Sequence, residues 1–547
     1  MKGFIQRHGE KILGVLSGFD RMRFRGTLRL LTSVGGTMAW LSRAGVLIKD
    51  FVKFAEGLTR QVRQATEENA AAAERPVRYL DRFVNKEELV RRIRGEQGLA
   101  ANGLIAVLST LEACASYDVY RNAQTHQIEL RRRQRKCLHF LRGSGQDYFY
   151  WEDERFGLTQ VRLQTWFPFN VHVVLNGREW LARELDRAKL ALSLEGIGYL
   201  RRDNCFADIE DFAAAQKLAD RQPRITWWKQ LERLLRRVHP LHRRLWKASP
   251  LDYYWTSEQT EWATDLAFRD AEALAELHDP LIHRGMEMFQ SADVLRFLGH
   301  KLPGHGGVHG KFAGEVVSDL KARPEGLRLK HRAGRNTLKM YDKQGTVPSK
   351  LRTSLRVETT LNDPRALKVY RRKQGDEAGP RQWLPLRKLA LSREGSVADL
   401  TRRAELSQAA NERYLEALGT LNTDTPLKQL TDKLCRPVHD GKRRYRGLRP
   451  FDPEEVRLLQ AVSRGEYQIA GFRNRDVRQT IYAATDDDRI RRRQSAAVTR
   501  QLAILRAHGL IKKIPRTHRY LLTQQGTTVM AALLAARNAT LAQLNAA

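Results

Sequence analysis

The sequence predicts an α+β, multidomain chain with a helical N-terminal region, an antiparallel sheet with helices in its middle, and a separate small unit at the C-terminus. Three observations carry this. The length of 547 residues calls for two to four domains. The hydrophobic pattern changes from helical spacing before residue 100 to short, β-branched and aromatic runs after Gly103. The last hundred residues then present helix starts, helix stops and a hairpin in a fixed order. The expected divisions are 1–100 (mainly helical and basic), 101–222 (antiparallel α+β), 223–392 (a helical segment, then a hairpin-containing α+β unit), 393–450 (helical, then a basic linker) and 451–547.

In the first region, "VLIKDFVKFAEGLTRQVRQATEENAAAAE" has the apolar spacing of a long helix, which must end before Arg75-Pro76 because proline disfavours the α conformation at the preceding residue. "NKEELVRRIRGEQG" is a second helix capped by Asn85. Between the N-terminus and these helices, Arg21, Arg23, Arg25 and Arg29 surround Phe24, as expected of a strand or a loop laid on phosphates, or simply of a solvated basic face. From Gly103 the runs "GLIAVLSTLEAC", "HQIELRRR", "KCLHFLRG", "DYFYWEDERFG" and "LTQVRLQTWFPFNVHVVLNG" are strands. "GREWLARELDRAKLAL" is a helix, "GIGYLRR" a strand and "DIEDFAAAQKLAD" a helix. Trp166, Phe167 and Phe169 are candidates for base stacking or for the core. "WWKQLERLLRRVHPLHRRLWK" is an amphipathic basic helix. "YYWTSEQTEWATDLAFRD" fits a strand pair or a helix. "GLRLKHRAGRNTLKMYDKQG" is a hairpin turning at Ala333-Gly334-Arg335-Asn336, and "LRTSLRVETTLND" is its neighbour.

At the C-terminus, Asp452 is an N-cap with Pro453 at the first helical position, Asn474 caps a second helix, and a third runs from about Gln494 to His508 with Val498, Leu502 and Leu505 on one face. Gly509 closes it, and Leu510–Ile514 and Tyr520–Leu522 form a short hairpin around a basic turn. This is the order of a winged helix. "VTRQLAILRAHGLIKKIPRTHRYLLTQQG" resembles the recognition helix and wing of MarR- and ArsR-like winged-helix DNA-binding domains, through a helix ending in L-x-x-x-G-L-I, a basic hairpin, and Y-x-L-T-x-x-G before a last helix. The resemblance covers about the last sixth of the chain. It implies nucleic-acid contact by Arg491, Arg492, Arg493, Arg500 and Arg506 on the helix and Lys512, Lys513, Arg516 and Arg519 on the hairpin; winged helices also bind RNA or pack against proteins. The segments "GFDRMRFRGTLR", "QTWFPFNVHVVLNGREWLARELDRA", "ATDLAFRD", "NTLKMYDKQG" and "RVETTLNDPR" resemble bacterial proteins associated with mobile elements, which implies a mobile-DNA or ribonucleoprotein role and no mechanism.

Composition points the same way. Ninety-six Lys+Arg against 62 Asp+Glu give a net charge of +34, mostly from arginine, whose forked donors suit phosphate. No apolar run is long enough to cross a bilayer, no basic amphipathic anchor stands out, and Glu10, Lys11 and Asp20 interrupt any signal-like stretch, so a cytoplasmic protein is expected. Cys114, Cys137, Cys205 and Cys435 are scattered with no C-x-x-C pair, which excludes a zinc knuckle. His305 and His309 lie among glycines, more like a loop than a metal site, and no metal ligand set is assigned. There is no P-loop and no G-x-S-x-G elbow.

For catalysis the candidates are Asp342, Lys343 and Glu358, flanked by Tyr341. Arg356, Glu358 and Thr360 alternate onto one strand face, and carboxylates beside a lysine can hold Mg²⁺ for nuclease chemistry. The bland alternative makes Asp342 and Lys343 turn residues and pairs Glu358 with an arginine. "YDK" followed by "RVE" also looks like a stretch of some rolling-circle initiators, but their His-hydrophobic-His motif is missing: "NVHVV" offers only His172. A second acidic group is Glu258, Glu261, Asp265 and Asp270, of which the first three share a face if the segment is a helix. Lys330, Arg332, Arg335, Arg21, Arg23 and Arg25 are further candidate phosphate contacts. The expectation is a DNA-binding protein of a bacterial mobile element. The alternatives are a Mg²⁺-dependent nuclease, replication initiator or recombinase, and a protein that binds a structured RNA.

Overall fold

The computed structural model describes residues 1–80, 84–97, 103–110, 112, 114–135, 146–189, 209, 211–239, 242, 251–289, 291–300, 314–323, 326–344, 353–364, 367–372, 378–386, 400–419, 427–441, 443–463, 467, 471–514 and 517–538. The strands expected at 136–143 and 196–202, His305, His309, Cys137, Cys205 and Arg516 lie outside them.

One eleven-stranded sheet organises most of the chain. Its first strand, β1 (Ile12–Leu28), is the 17-residue arginine-bearing stretch inside the expected helical region. β2 (Arg78–Tyr79), β3 (Leu104–Thr110), β6 (Gln146–Asp153), β7 (Gly157–Gln164) and β8 (Val171–Asn176) build one wing; β4 (Cys114–Arg121) and β5 (Ile128–Arg135) pair as a separate hairpin. β9 (Tyr253–Phe268), β10 (Val316–Arg323), β11 (Gly326–Ala333), β12 (Asn336–Gln344) and β13 (Thr353–Leu361) build the other. The order across the sheet is β10-β11-β12-β13-β9-β1-β8-β7-β6-β3-β2, antiparallel except for β2 beside β3. The stretch that fitted a strand pair or a helix is therefore a single 16-residue strand, β9, and the sheet draws on residues from both sides of the expected divisions at 100 and 222.

The turn at Gly334-Arg335 forms as expected, with Gly334 at φ +59° and Ala333 opposite Asn336. Strand alternation then sorts the side chains. On one face Leu329, Leu338, Met340, Leu355, Val357 and Leu266 pack against the helices Ala271–Met288, Ser291–Phe297 and Leu400–Leu418, chiefly through Leu281, Ile282, Leu295 and Tyr414. Farther along that face, Phe24, Val173 and Val161 share a core with Trp227, Leu231 and Leu235 of the helix Trp227–Val238. Trp166, Phe167 and Phe169 are buried in this core, so they do not offer rings to bases. The opposite face is polar through its middle. At the outer edge the helix Lys86–Gln97 covers it with Leu89, Val90 and Ile93 against Tyr148 and Tyr150, and at the start of β1 the helices Gly177–Arg187 and Phe212–Ala219 pack near Gly18 and Gly14.

The C-terminal unit has its own core, including Leu459, Val462, Phe472, Val477, Val498, Leu502, Leu505 and Met530. Helices run Pro453–Ser463, Asn474–Ile481 and Asp488–Ala507, then strands Ile511–Lys513 and Tyr520–Leu522 pair, and a helix spans Gln524–Asn538. Phe472 and Tyr520 exchange backbone hydrogen bonds at 2.8 Å, adding a third edge to the hairpin. Asp452 caps the first helix by accepting from Glu454 N at 3.0 Å, and Gly509 takes φ +69°. Two expectations are corrected. The third helix starts at Asp488, because Asp487 accepts from Arg489 N and Ile490 N and nucleates it earlier. Arg473, not Asn474, is the N-cap of the second; Asn474 instead reaches Ser495 O and Thr499 Oγ1, tying the two helices together.

Candidate functional site

The polar face gathers its charge where β13, β9 and β1 lie side by side. On β13, Glu358 and Arg356 are two apart and point the same way, opposite Ala263 and Asp265 of β9. Glu261 shares their face. On β1 the alternation is broken: Phe19 sits opposite Trp262 and Met22 opposite Thr260, so Asp20 and Arg21 together face Glu261. This bulge directs both side chains to the polar face, as two-against-one bulges do. The result is a cluster of Asp20, Glu261 and Glu358, each with a carboxylate oxygen within 4.8 Å of the others.

Each carboxylate is oriented by a neighbour. Lys339 Nζ donates to Glu358 Oε1 at 2.6 Å and Tyr341 Oη to Glu358 Oε2 at 3.1 Å. Gln259 Nε2 donates to Glu261 Oε1 at 2.7 Å, and Arg356 Nη1 to Asp20 Oδ2 at 3.1 Å. Behind them Asp265 accepts from Arg356 Nη2 at 2.9 Å and is ion-paired with Arg178 Nη2 at 3.1 Å; all three are essentially buried. Burial, with Glu358 and Asp20 close by, pushes the Glu261 carboxyl up to about 7, against the pull of Lys339 and Arg21. Burial lowers Arg178, while around Arg356 the charges of Asp265 and Asp20 outweigh burial and raise it.

The donor set fits a hard divalent cation, since such ions take carboxylate oxygens held by a supporting shell. One oxygen from each of the three carboxylates lies within 4.8 Å of the others, close enough to converge on one such ion.

Farther along β1 and β9 the face turns basic. A second irregularity falls between Arg23/Gln259 and Phe24/Ser257, where Glu258 is the extra residue. Glu258 meets Arg25 at 3.7 Å and His172 Nδ1 at 3.3 Å. Burial opposes its charge, but His172, Arg25 and Arg23 hold it down to about 2. His172 is lowered, first by burial and then by Arg162 and Arg25.

The sequence-derived candidates divide. Glu358 stands in the carboxylate cluster. Asp342 does not: it pairs with Leu355, one step out of phase with Glu358, and lies on the helical face with its Oδ1 3.8 Å from His278 Nε2. Lys343 lies opposite Ser354, and its side chain falls outside the described residues. Lys339, two residues from Tyr341, takes the place expected of Lys343. Of the second acidic group, Glu261 joins the cluster, Asp265 and Glu258 are tied up by arginines or His172, and Asp270 caps a helix by accepting from Ala273 N at 2.7 Å. Asp20 was missed, although two adjacent polar residues between Phe19 and Met22 break the strand alternation and signal a bulge. Arg21 and Arg23 are exposed on the same face and Arg25 is half-buried. Lys330 lies in register with Lys339, which continues the basic face onto β11, with Arg332 on the same face and ion-paired to Glu315; Arg335 is exposed at the turn.

In the C-terminal unit Arg492, Arg493, Arg500, Lys512 and Lys513 are exposed; Arg491 pairs with Asp488 on its own helix, Arg506 with Asp440 at 3.7 Å, and Arg519 donates to Gly471 O at 3.2 Å. Compared with protein families, curated proteins and solved structures, the chain matches none. Among the described residues no helix is long and apolar enough to cross a membrane.

Proposed function

We propose that the protein binds nucleic acid, DNA first, through its C-terminal unit acting as a winged helix and through the basic sheet face, and that it acts on phosphodiester bonds with a divalent cation held by Asp20, Glu261 and Glu358. The observation that carries this is the convergence of three carboxylates from adjacent strands on a face otherwise lined by arginine and lysine. Nucleic acid supplies many phosphates to such a surface, and the metal would polarise one of them and activate a water or hydroxyl for in-line attack. Lys339 and Tyr341 fix Glu358, Gln259 fixes Glu261 and Arg356 fixes Asp20, so the ligands are set before substrate arrives. Arg21 stands on the same bulge, exposed, where it can neutralise a phosphate oxygen.

The test uses labelled single- and double-stranded DNA, and structured RNA, with Mg²⁺ or Mn²⁺. Cleavage or joining that vanishes with chelator and in Glu261→Gln is expected. Binding without any metal-dependent change in either nucleic acid rejects the catalytic part. A flat titration between 50 and 200 mM salt, in place of the roughly 10³-fold or larger fall expected from six or more phosphate contacts, rejects the binding part.

A further inference from the structure

The basic end of the polar face is not flat. The hairpin of β4 and β5 stands over it and encloses a cavity of about 490 Å³ between Arg132 and Arg133 on the hairpin and Arg25, Arg162 and His172 on the sheet. That volume is in the range of sites for whole small molecules. Among the described residues no carboxylate lines it, and Cys114 and Ala115 are its only apolar-type lining residues. The lining therefore favours an anionic ligand over an uncharged one.

The carboxylates near the cavity stand behind the arginines rather than inside it, and each is shared. Glu258 serves Arg25 and His172, Glu112 serves Arg162 and Lys86, and Asp118 serves Arg133 and Arg131. This arrangement aims the guanidinium groups without cancelling them. Arg25 Nε and Arg162 Nε are buried donors with no hydrogen-bond acceptor among the described residues. A buried charged donor left without an acceptor is costly, and an oxyanion satisfies it. We infer that the cavity binds the phosphate-bearing end of a nucleotide, carried either by a 5′-phosphorylated strand or by a free nucleoside triphosphate.

This site is separate from the carboxylate cluster but shares its strands. Arg25 follows Arg21 by four residues on β1, about 13 Å at the rise of an extended strand. A strand end seated in the cavity would run toward the metal ligands within about four stacked base steps. The proposal rests on the nucleic-acid reading and not on catalysis, so its test is run in EDTA.

Fluorescent single-stranded 12-mers with a 5′-phosphate or a 5′-hydroxyl are titrated against the full-length protein at 150 mM salt, and unlabelled ATP and dTTP are titrated as competitors and by calorimetry. The variant is Arg132→Ala with Arg133→Ala, both exposed on β5, with thermal unfolding as a check on folding. Arg25→Gln is the second variant. At least tenfold tighter binding of the 5′-phosphorylated strand, lost in both variants, identifies a strand end. Nucleotide binding lost in both variants, with no preference between the two strand ends, identifies a free triphosphate. If neither probe distinguishes wild-type protein from the variants, the cavity is not a phosphate site, whatever the metal dependence of strand processing proves to be.

Discussion

The two ends of one polar face, built on the same pair of strands, handle charge in opposite ways. At Asp20, Glu261 and Glu358 acid groups crowd together and are braced by Lys339, Arg356 and Arg178, with Asp265 locked in the bracing. At Arg25, Arg162, Arg132 and Arg133 cations crowd together and are braced from behind by Glu258, Glu112 and Asp118. The first arrangement calls for a cation, the second for an anion. A nucleic acid with a bound metal ion presents both, and it is the composite ligand that the proposed function assigns to this face.

The largest effect that separates bracing from binding is expected at Asp265. Its carboxylate lies buried between Arg178 and Arg356, and Asp265→Asn leaves two buried cations poorly compensated; about 3–5 kcal/mol of stability should be lost, read by denaturant unfolding. A loss below about 1 kcal/mol would mean that this pairing is not the scaffold of the acidic end. Next in size, Glu358→Gln should reduce metal-dependent strand processing by at least about 10²-fold, or ~2.7 kcal/mol in the barrier, while affinity for DNA in EDTA changes less than about twofold. Equal losses in both measurements would show that Glu358 only supports the fold.

In the C-terminal unit, Arg500→Ala should cost about 1–3 kcal/mol of discrimination between DNA sequences if its helix enters the major groove, whereas Lys512→Ala should weaken every sequence alike and reduce the salt slope by about one. Deleting residues 452–547 without changing duplex binding would move all recognition to the sheet face.

The smallest and most diagnostic effect is that of pH. The Glu261 carboxyl is raised in the fold to about 7, above its value in the unfolded chain. Its protonated form is the one the fold favours, so this contribution to stability is present at low pH and is lost as pH rises toward 7. Metal binding requires the ionised form and should strengthen by up to tenfold per pH unit below about 7, then level off. Glu261→Gln should remove both dependences, and should raise the melting temperature at pH 8 while abolishing metal binding. An unchanged pH profile in that variant would place the titrating group elsewhere.

How much of this was legible depended on sequence distance. The hairpin at Gly334, the alternation of Arg356, Glu358 and Thr360, and the order of elements in the last hundred residues are local patterns, and the sequence displays them directly. Glu261, by contrast, sits in a 16-residue strand whose acidic spacing also suits a helix, because residues three and seven apart share a helical face. Asp342 looked equivalent to Glu358 until the register of β12 and β13 placed it opposite Leu355, and a one-residue difference in phase reverses the face of a strand. The convergence of Asp20 with residues more than two hundred positions away, and the cavity under the β4–β5 hairpin, are properties of strand order, which no local pattern encodes.

Two of the three irregularities in the β1–β9 ladder, those at Asp20-Arg21 and at Glu258, carry a consequence for deletions. One inserts a residue into β1 at Asp20-Arg21, the other inserts one into β9 at Glu258, and from Gly14 to Leu28, outside the short stretch between them, the ladder keeps a single register. Removing Arg21 alone would straighten β1 there and leave Phe19 opposite Trp262 and Met22 opposite Thr260, and removing Glu258 alone would straighten β9 and leave Arg23 opposite Gln259 and Phe24 opposite Ser257. Removing both restores an unbroken ladder, with Asp20 opposite Glu261 and Phe24 still opposite Ser257. Each deletion is thus expected to be tolerated on its own, and the double deletant should fold while losing an arginine beside the carboxylate cluster and the carboxylate that anchors His172. Such a chain would keep the sheet and lose the two side chains that these bulges add to its polar face.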